Sequence, residues 1–292
     1  MMKRFLLFLT LAAACGSGNG SPAEMERDEA PVVVPAPPSE ASDTTLVRAD
    51  RLLDEGEWER ALEIYERLPR TAEVLKGIGI ANLRLWELPA ALRALREARQ
   101  LAPRDAEVAG YLGEALTLNR DLDDAILVYR EAVGLDSANV ELRASYALAL
   151  AWAGEHRSAV TEYRAALRLR PDHVRSRLGL ARTLSWMRDF DAALDEYRRA
   201  LASTTDLRER SRAHAGAAQV LAWTGELAEA EAEYRDAIEA NPRNTDALFG
   251  LAEVHEWRRE YPAAKGLYEE ILQLDPNHSG AKQKLLELGW VR

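Results

Sequence analysis

The chain has 292 residues, of which 47% are hydrophobic and 29% charged, the balance of a folded protein rather than of a disordered or multi-span membrane chain. A formal net charge of −10, from 48 acidic against 38 Lys and Arg residues, argues against a nucleic-acid footprint spread over the surface. The single cysteine excludes disulfide scaffolds, four-thiolate zinc sites and paired redox thiols.

At the amino terminus Lys3 and Arg4 precede an apolar run from Phe5 to Ala14. The run is about half of the ~20 residues that a spanning helix needs, so it reads as a cleavable secretory signal. Leu11-Ala12-Ala13-Ala14 abuts Cys15, which resembles the lipobox of bacterial lipoproteins. The resemblance implies diacylation of the Cys15 thiol and cleavage after residue 14. Without it, the same run beside a chance cysteine is an ordinary signal peptide. Each buried methylene of an acyl chain contributes about 0.8 kcal/mol, so two or three chains anchor firmly. Gly16 in place of aspartate points, by similarity to lipoprotein sorting signals, to the outer rather than the inner membrane.

Residues 15–45 form the next segment, lipidated Cys15 followed by Gly, Ser, Pro and acid, with Pro22, Pro31, Pro35, Pro37 and Pro38 among the chain's 12 prolines. This composition predicts a flexible tether. Charge divides as +2 over residues 1–15, −5 over 16–45 and −7 over 46–292, which sums to the −10 of the chain. The tether's negative charge disfavours lying flat on anionic headgroups.

From there the sequence repeats. An alanine followed four residues later by tyrosine recurs at Ala61, Ala125, Ala159, Ala193, Ala230 and Ala264, and Ala91 followed by Leu95 supplies a seventh copy. Successive alanines lie 30, 34, 34, 34, 37 and 34 residues apart, the signature of a repeat architecture. With each unit numbered so that this alanine is position 20, position 8 is Ala49, Gly79, Gly113, Ala147, Ala181, Ala218 and Ala252, small in every copy. Small residues at 8, 20 and 27 allow two helices to approach closely. Pro103, Pro171, Pro242 and Pro276 end second helices, and Thr71, Asp105, Asn139 and Asn244 are placed to cap the first helix of the next unit.

The pattern closely resembles the tetratricopeptide repeat (TPR) family. The resemblance implies an all-α, right-handed superhelix of about seven helix-turn-helix repeats over residues 46–278, closed by a capping helix over 279–292. Two irregularities are expected to disturb it: the first unit is four residues short, and three extra residues fall near Ser203 to Arg210. Leu285, Leu286 and Leu288 are expected to share the buried face of the cap, which solenoids need over their last apolar surface.

In this family the first helices line a concave groove that binds peptides or proteins, with positions 2, 5, 6, 9, 12 and 13 commonly facing inward. Position 13 is Trp152, Trp186, Trp223 and Trp257 in the last four units. Two placements of this ladder are open: along the groove, where tryptophan suits extended peptides or sugar rings, or packed against the neighbouring helix. Arg175, Arg182, Arg212 and Gln219 fall on the same expected wall, with Asp246, Glu253 and Glu256. The lysine and asparagine set by which some TPR domains clamp a carboxylate terminus is missing, since Glu107, Glu114, Glu141, Ala144, Ser145 and Leu148 hold those positions.

No motif signals catalysis, a cofactor or a metal. The five histidines have no ligand spacing, and Asp121-Leu122-Asp123-Asp124 lacks the glycine and distal glutamate of a calcium loop. The expectation is a non-enzymatic protein-interaction scaffold, a lipoprotein of the bacterial envelope facing the periplasm, that supports a secretion, pilus or export complex. Its partners are envelope proteins and, through the lipid, a membrane, without nucleic acid. The alternative is a polysaccharide-binding or polysaccharide-export component using a tryptophan-lined groove.

Overall fold

The computed structural model describes residues 40–289. The signal run, Cys15 and the tether as far as residue 39 lie outside the described residues.

Fifteen α-helices run through the described residues as seven hairpins and a final single helix. In chain order the hairpins are α1 (Glu40–Asp54) with α2 (Trp58–Tyr65), α3 (Ala72–Arg84) with α4 (Leu88–Leu101), and α5 (Ala106–Leu118) with α6 (Leu122–Leu135). There follow α7 (Val140–Trp152) with α8 (His156–Leu169), α9 (Val174–Trp186) with α10 (Phe190–Ser203), and α11 (Leu207–Thr224) with α12 (Leu227–Ala240). The last hairpin is α13 (Thr245–Trp257) with α14 (Tyr261–Leu274), and α15 (Ser279–Leu288) closes the row. The first helix begins at Glu40, six residues ahead of the boundary expected at 46, in line with a first repeat that counts from Ser42.

The periodic small residues make this packing possible. All seven alanines at position 20 are fully buried, as are Ala98, Ala132, Ala166, Ala200 and Ala237 at position 27. Position 8 is buried in every unit. With no side chain beyond Cβ at these points, paired helices approach to backbone distance and the larger Leu, Tyr and Val residues fill the flanks. Each helix contacts its sequence neighbours, and the odd-numbered helices from α1 to α13 also touch the next odd-numbered one. The even-numbered helices make no comparable contact with one another, so the row curves with the odd helices on its inner side.

The expected caps are in place. The Thr71 side chain accepts from the Val74 N–H, Asp105 from Glu107 and Val108, Asn139 from Leu142, and Asn244 from Ala247. Each satisfies a first-turn donor that has no partner inside the helix. Between the two helices of every unit, position 15 has a positive φ: Gly56, Gly154 and Gly225, and also Trp86, Arg120, Arg188 and Arg259 at 63–68°. The hairpin geometry therefore imposes a left-handed residue at all seven turns, whether or not glycine is present to adopt it freely.

Both irregularities have local consequences. The short first unit has an eight-residue α2, whereas the later second helices have 14. The three inserted residues, with two more that join the helix in this unit, bring α11 to 18 residues where the other first helices from α3 to α13 have 13. Asp206 caps this lengthened helix, accepting from the Arg208 and Glu209 N–H groups at 2.9 Å. In the capping helix one expectation is corrected: Leu285 and Leu288 pack on the last core cluster, but Leu286 is 71% exposed. Residues three apart share a helix face, and a residue one step along is rotated about 100° away from it.

Candidate functional site

Along the inner side, α7, α9, α11 and α13 border an open groove of about 690 Å³. Position 2 of the inner helices reads Glu73, Glu107 and Glu141, turns to Arg175 and Arg212, and returns to acid at Asp246. Position 9 brings Arg182 from α9 and Gln219 from α11 into the same groove. The extra turn of α11 adds Arg208 and Glu209, and the turn between α12 and α13 adds Arg243. Five arginines thus face two carboxylates, Glu209 and Asp246.

The groove's floor is supplied by the second helices. Tyr163, Tyr197 and Tyr234, at position 24 of α8, α10 and α12, reach between the inner helices because the next unit has glycine at position 6. A Cβ on Gly179, Gly216 or Gly250 would stand 2.3–2.4 Å from the tyrosine lying over it. Burial raises all three phenol pKa values, that of Tyr163 to about 12 against the opposing pull of Arg182 and Arg175. The tyrosines are therefore neutral near pH 7, with hydroxyls that both donate and accept.

The structure brings together Arg175, Arg182, Arg212 and Gln219 of the residues singled out in the sequence. Glu253, half-buried farther along α13, lies outside the groove lining. Burial pushes its carboxyl above the ordinary carboxylate range, and Lys284 works against that shift. The four tryptophans also lie outside the groove lining, at the edge formed by the hairpin turns. There each of three leans on the unit before it: Trp152 under the Arg120 guanidinium at 5.5 Å, Trp186 beside the His156 ring at 5.7 Å, and Trp223 beside Phe190 at 6.3 Å. They are partly covered, not buried, with Trp186 39%, Trp223 45% and Trp257 51% exposed. Arg182 links edge and groove, with its guanidinium 5.3 Å above the Trp186 ring.

Arg208, Arg243 and the three tyrosines are not among the groove residues read from the sequence. Tyrosine followed by glycine at position 6 of the next unit was a readable signal for the last three. The two arginines depend on how an insertion and a turn fold.

Among the described residues, His214, Glu233 and Asp236 bring possible metal ligands within 4.8 Å of one another. The His214–Glu233 contact, 2.7 Å, occupies the places where Arg143–Glu162 and Arg177–Glu196 pair at 2.8 and 2.9 Å. A tie between the two helices of a hairpin accounts for it in all three units.

Two family models described as tetratricopeptide repeat match the chain, one at residues 76–140 and the other at 153–220 and 222–288. The chain belongs to the tetratricopeptide repeat family. Members bind protein partners, and the fold is generally an interaction fold without catalysis; no enzymatic family is among the matches. Among solved structures, a TPR protein from Parabacteroides merdae is similar at 14% identity and a TM-score of 0.71, covering 86% of this chain and 100% of that one. A Pseudomonas aeruginosa structure described as pilF is similar at 17% identity and a TM-score of 0.60, covering 76% and 97%. The Cut9–Hcn1 hetero-tetramer of the APC/C is similar at 15% identity and a TM-score of 0.68 over 84% of this chain, which spans about half (49%) of the matched chain. At these identities the likeness is one of fold. No curated protein matches in sequence.

Proposed function

We propose that this chain is a non-catalytic scaffold of the bacterial envelope, anchored through a lipid on Cys15, that seats a partner protein in the groove between α7 and α13. The observation that carries the reading is the groove itself, a polar wall of Arg175, Arg182, Arg212 and Gln219 over a tyrosine floor. An exposed polar wall over a closely packed floor of this kind suits reversible recognition of protein segments. The lipobox-like run before Cys15 and the tether support attachment to the periplasm-facing surface of a membrane, the outer one by preference, where a secretion, pilus or export complex would be the client. Among the described residues no helix is long and apolar enough to cross a membrane.

The test places a photo-crosslinking amino acid at Gln219 in cells, with Cys15→Ser alongside. Capture of one envelope protein at Gln219, and loss of acyl labelling and of membrane retention in Cys15→Ser, are the expected results. Absence of capture at Gln219, with folded protein present, counts against the groove as the docking surface.

The second reading, glycan binding, is favoured by one observation: Trp186, Trp223 and Trp257 keep two-fifths to a half of their surface open along one edge. Stacked sugar rings would protect these indoles from an aqueous quencher. Unchanged quenching with envelope polysaccharide present rejects this reading.

A further inference from the structure

We infer that the basic stretch of the groove takes an acidic, extended segment of the partner protein. This rests on the scaffold reading above and names the chemistry of the partner.

Charge pairing along the inner wall changes from one end to the other. Toward the amino terminus, cations of α3 are matched by acids of α5: Lys76 by Glu107 at 2.6 Å and Arg84 by Glu114 at 2.9 Å. At the far end Lys284 of α15 is matched by Glu256 of α13 at 2.7 Å. Between these, Arg175 shares Glu141 with Arg170 and His173, and among the described residues Arg182, Arg208, Arg212 and Arg243 have no carboxylate within ion-pair distance. All four are exposed. In a chain of net charge −10, five guanidinium groups against the two carboxylates of Glu209 and Asp246 leave the groove locally positive, and a bound anion would meet the four unpaired ones with forked hydrogen bonds.

A peptide fits this field better than other polyanions. A nucleic acid brings a charge at every residue, and Glu209 and Asp246 stand among the arginines to repel such a regular array. The tryptophans lie outside the groove lining and its three tyrosines are buried, so no open ring face is offered for bases or sugar rings to stack on. A peptide can alternate acidic with neutral side chains to match the wall. Gln219 has no hydrogen-bond partner among the described residues, and its amide can donate to and accept from an extended backbone. The inserted turn of α11 sharpens the case: without it, Arg208 and Glu209 would have no helical position at the groove's border.

The experiment measures binding of a fluorescein-labelled Glu/Pro/Ala peptide, and of its lysine counterpart, to the full mature chain by anisotropy. Variants are Arg182→Ala/Arg212→Ala, the charge reversal Arg182→Glu/Arg212→Glu, and Arg198→Ala, an exposed residue outside the groove; circular dichroism checks each fold. The expected result is saturable binding of the acidic peptide that weakens with salt, falls at least about tenfold in the double alanine variant and is unchanged in Arg198→Ala. The charge reversal should bind the lysine peptide instead. Equal binding by wild type and the double alanine variant overturns the inference, as does binding of a heparin oligosaccharide but not of the acidic peptide. If the peptide fails while Gln219 still crosslinks to an envelope protein, the acidic chemistry is wrong and the scaffold reading stands; failure of both removes both.

Discussion

Tyr197 reaches the groove across Gly216: its ring lies where a Cβ on that glycine would stand, 2.4 Å from Cζ. The tyrosine is 5% exposed, so its ring is enclosed by other groups. The same relationship joins Tyr163 to Gly179 and Tyr234 to Gly250, and it sets how closely successive units stack.

A methyl group at Gly216 must therefore displace a buried ring. Gly216→Ala is expected to destabilise by about 1–3 kcal/mol, the usual cost of overpacking a core. Gly266, in α14, has open space where its Cβ would be, so Gly266→Ala should stabilise by about 0.5–1 kcal/mol through helix propensity. Urea unfolding of the two variants, with opposite signs, checks the assignment.

The turn residues separate backbone strain from packing. Gly154 has φ +83° and nothing within 4 Å of an added Cβ, so Gly154→Ala pays for conformation alone, about 1–2 kcal/mol. Calorimetry should show a lowered Tm with unchanged helix content at room temperature. A neutral result would mean that the turn can relax out of the left-handed region.

Arg177 and Glu196 form a largely buried ion pair between α9 and α10, with side chains 15% and 13% exposed. Glu196→Leu alone leaves the guanidinium without a counter-charge, held only by the Pro171 carbonyl, and should destabilise by about 2–4 kcal/mol. Two other units hold apolar pairs at these positions, Ala109 with Val128 and Leu248 with Leu267. The double variant Arg177→Leu/Glu196→Leu should therefore recover most of the loss, measured as a double-mutant cycle in urea.

Glu253 gives a pH signature. Burial raises its carboxyl pKa above the ordinary 4.5, and neighbouring Glu256 adds to the shift while Lys284 opposes it. The folded protein then binds this proton more tightly than the unfolded chain. Its favourable contribution is full below pH 4.5 and is lost as pH rises through the raised value. Glu253→Gln should remove that slope and raise the urea midpoint at pH 7.5 relative to wild type, with little difference at pH 4. An unchanged midpoint at both pH values would show that Glu253 is solvated.

The repeat is legible in the residues alone. Ala61 through Ala264 and the small residues at position 8 could be read directly, because close helix approach leaves no alternative to alanine or glycine there. Thr71, Asp105, Asn139 and Asn244 were legible as caps for a similar reason: a first-turn N–H needs an acceptor at one fixed offset. Positions 2 and 9 of the inner helices also followed from the repeat frame, which placed Arg175, Arg182, Arg212 and Gln219 on one wall.

Stacking of the units fixes where that frame bends and what each wall faces. Position 13 fixed the tryptophans to helix ends, but only the stacking of consecutive units put them on the outer edge of the turns and left the groove to arginine and tyrosine. Three added residues appear in the sequence as an irregular spacing; folded, they become a further helical turn that carries Arg208 to the groove. Whether a cation finds a carboxylate depends on distances between helices some 30 residues apart, so the pairing of Lys76 and the isolation of Arg212 are properties of the stacked solenoid, set by a Coulomb interaction that sequence spacing alone does not encode.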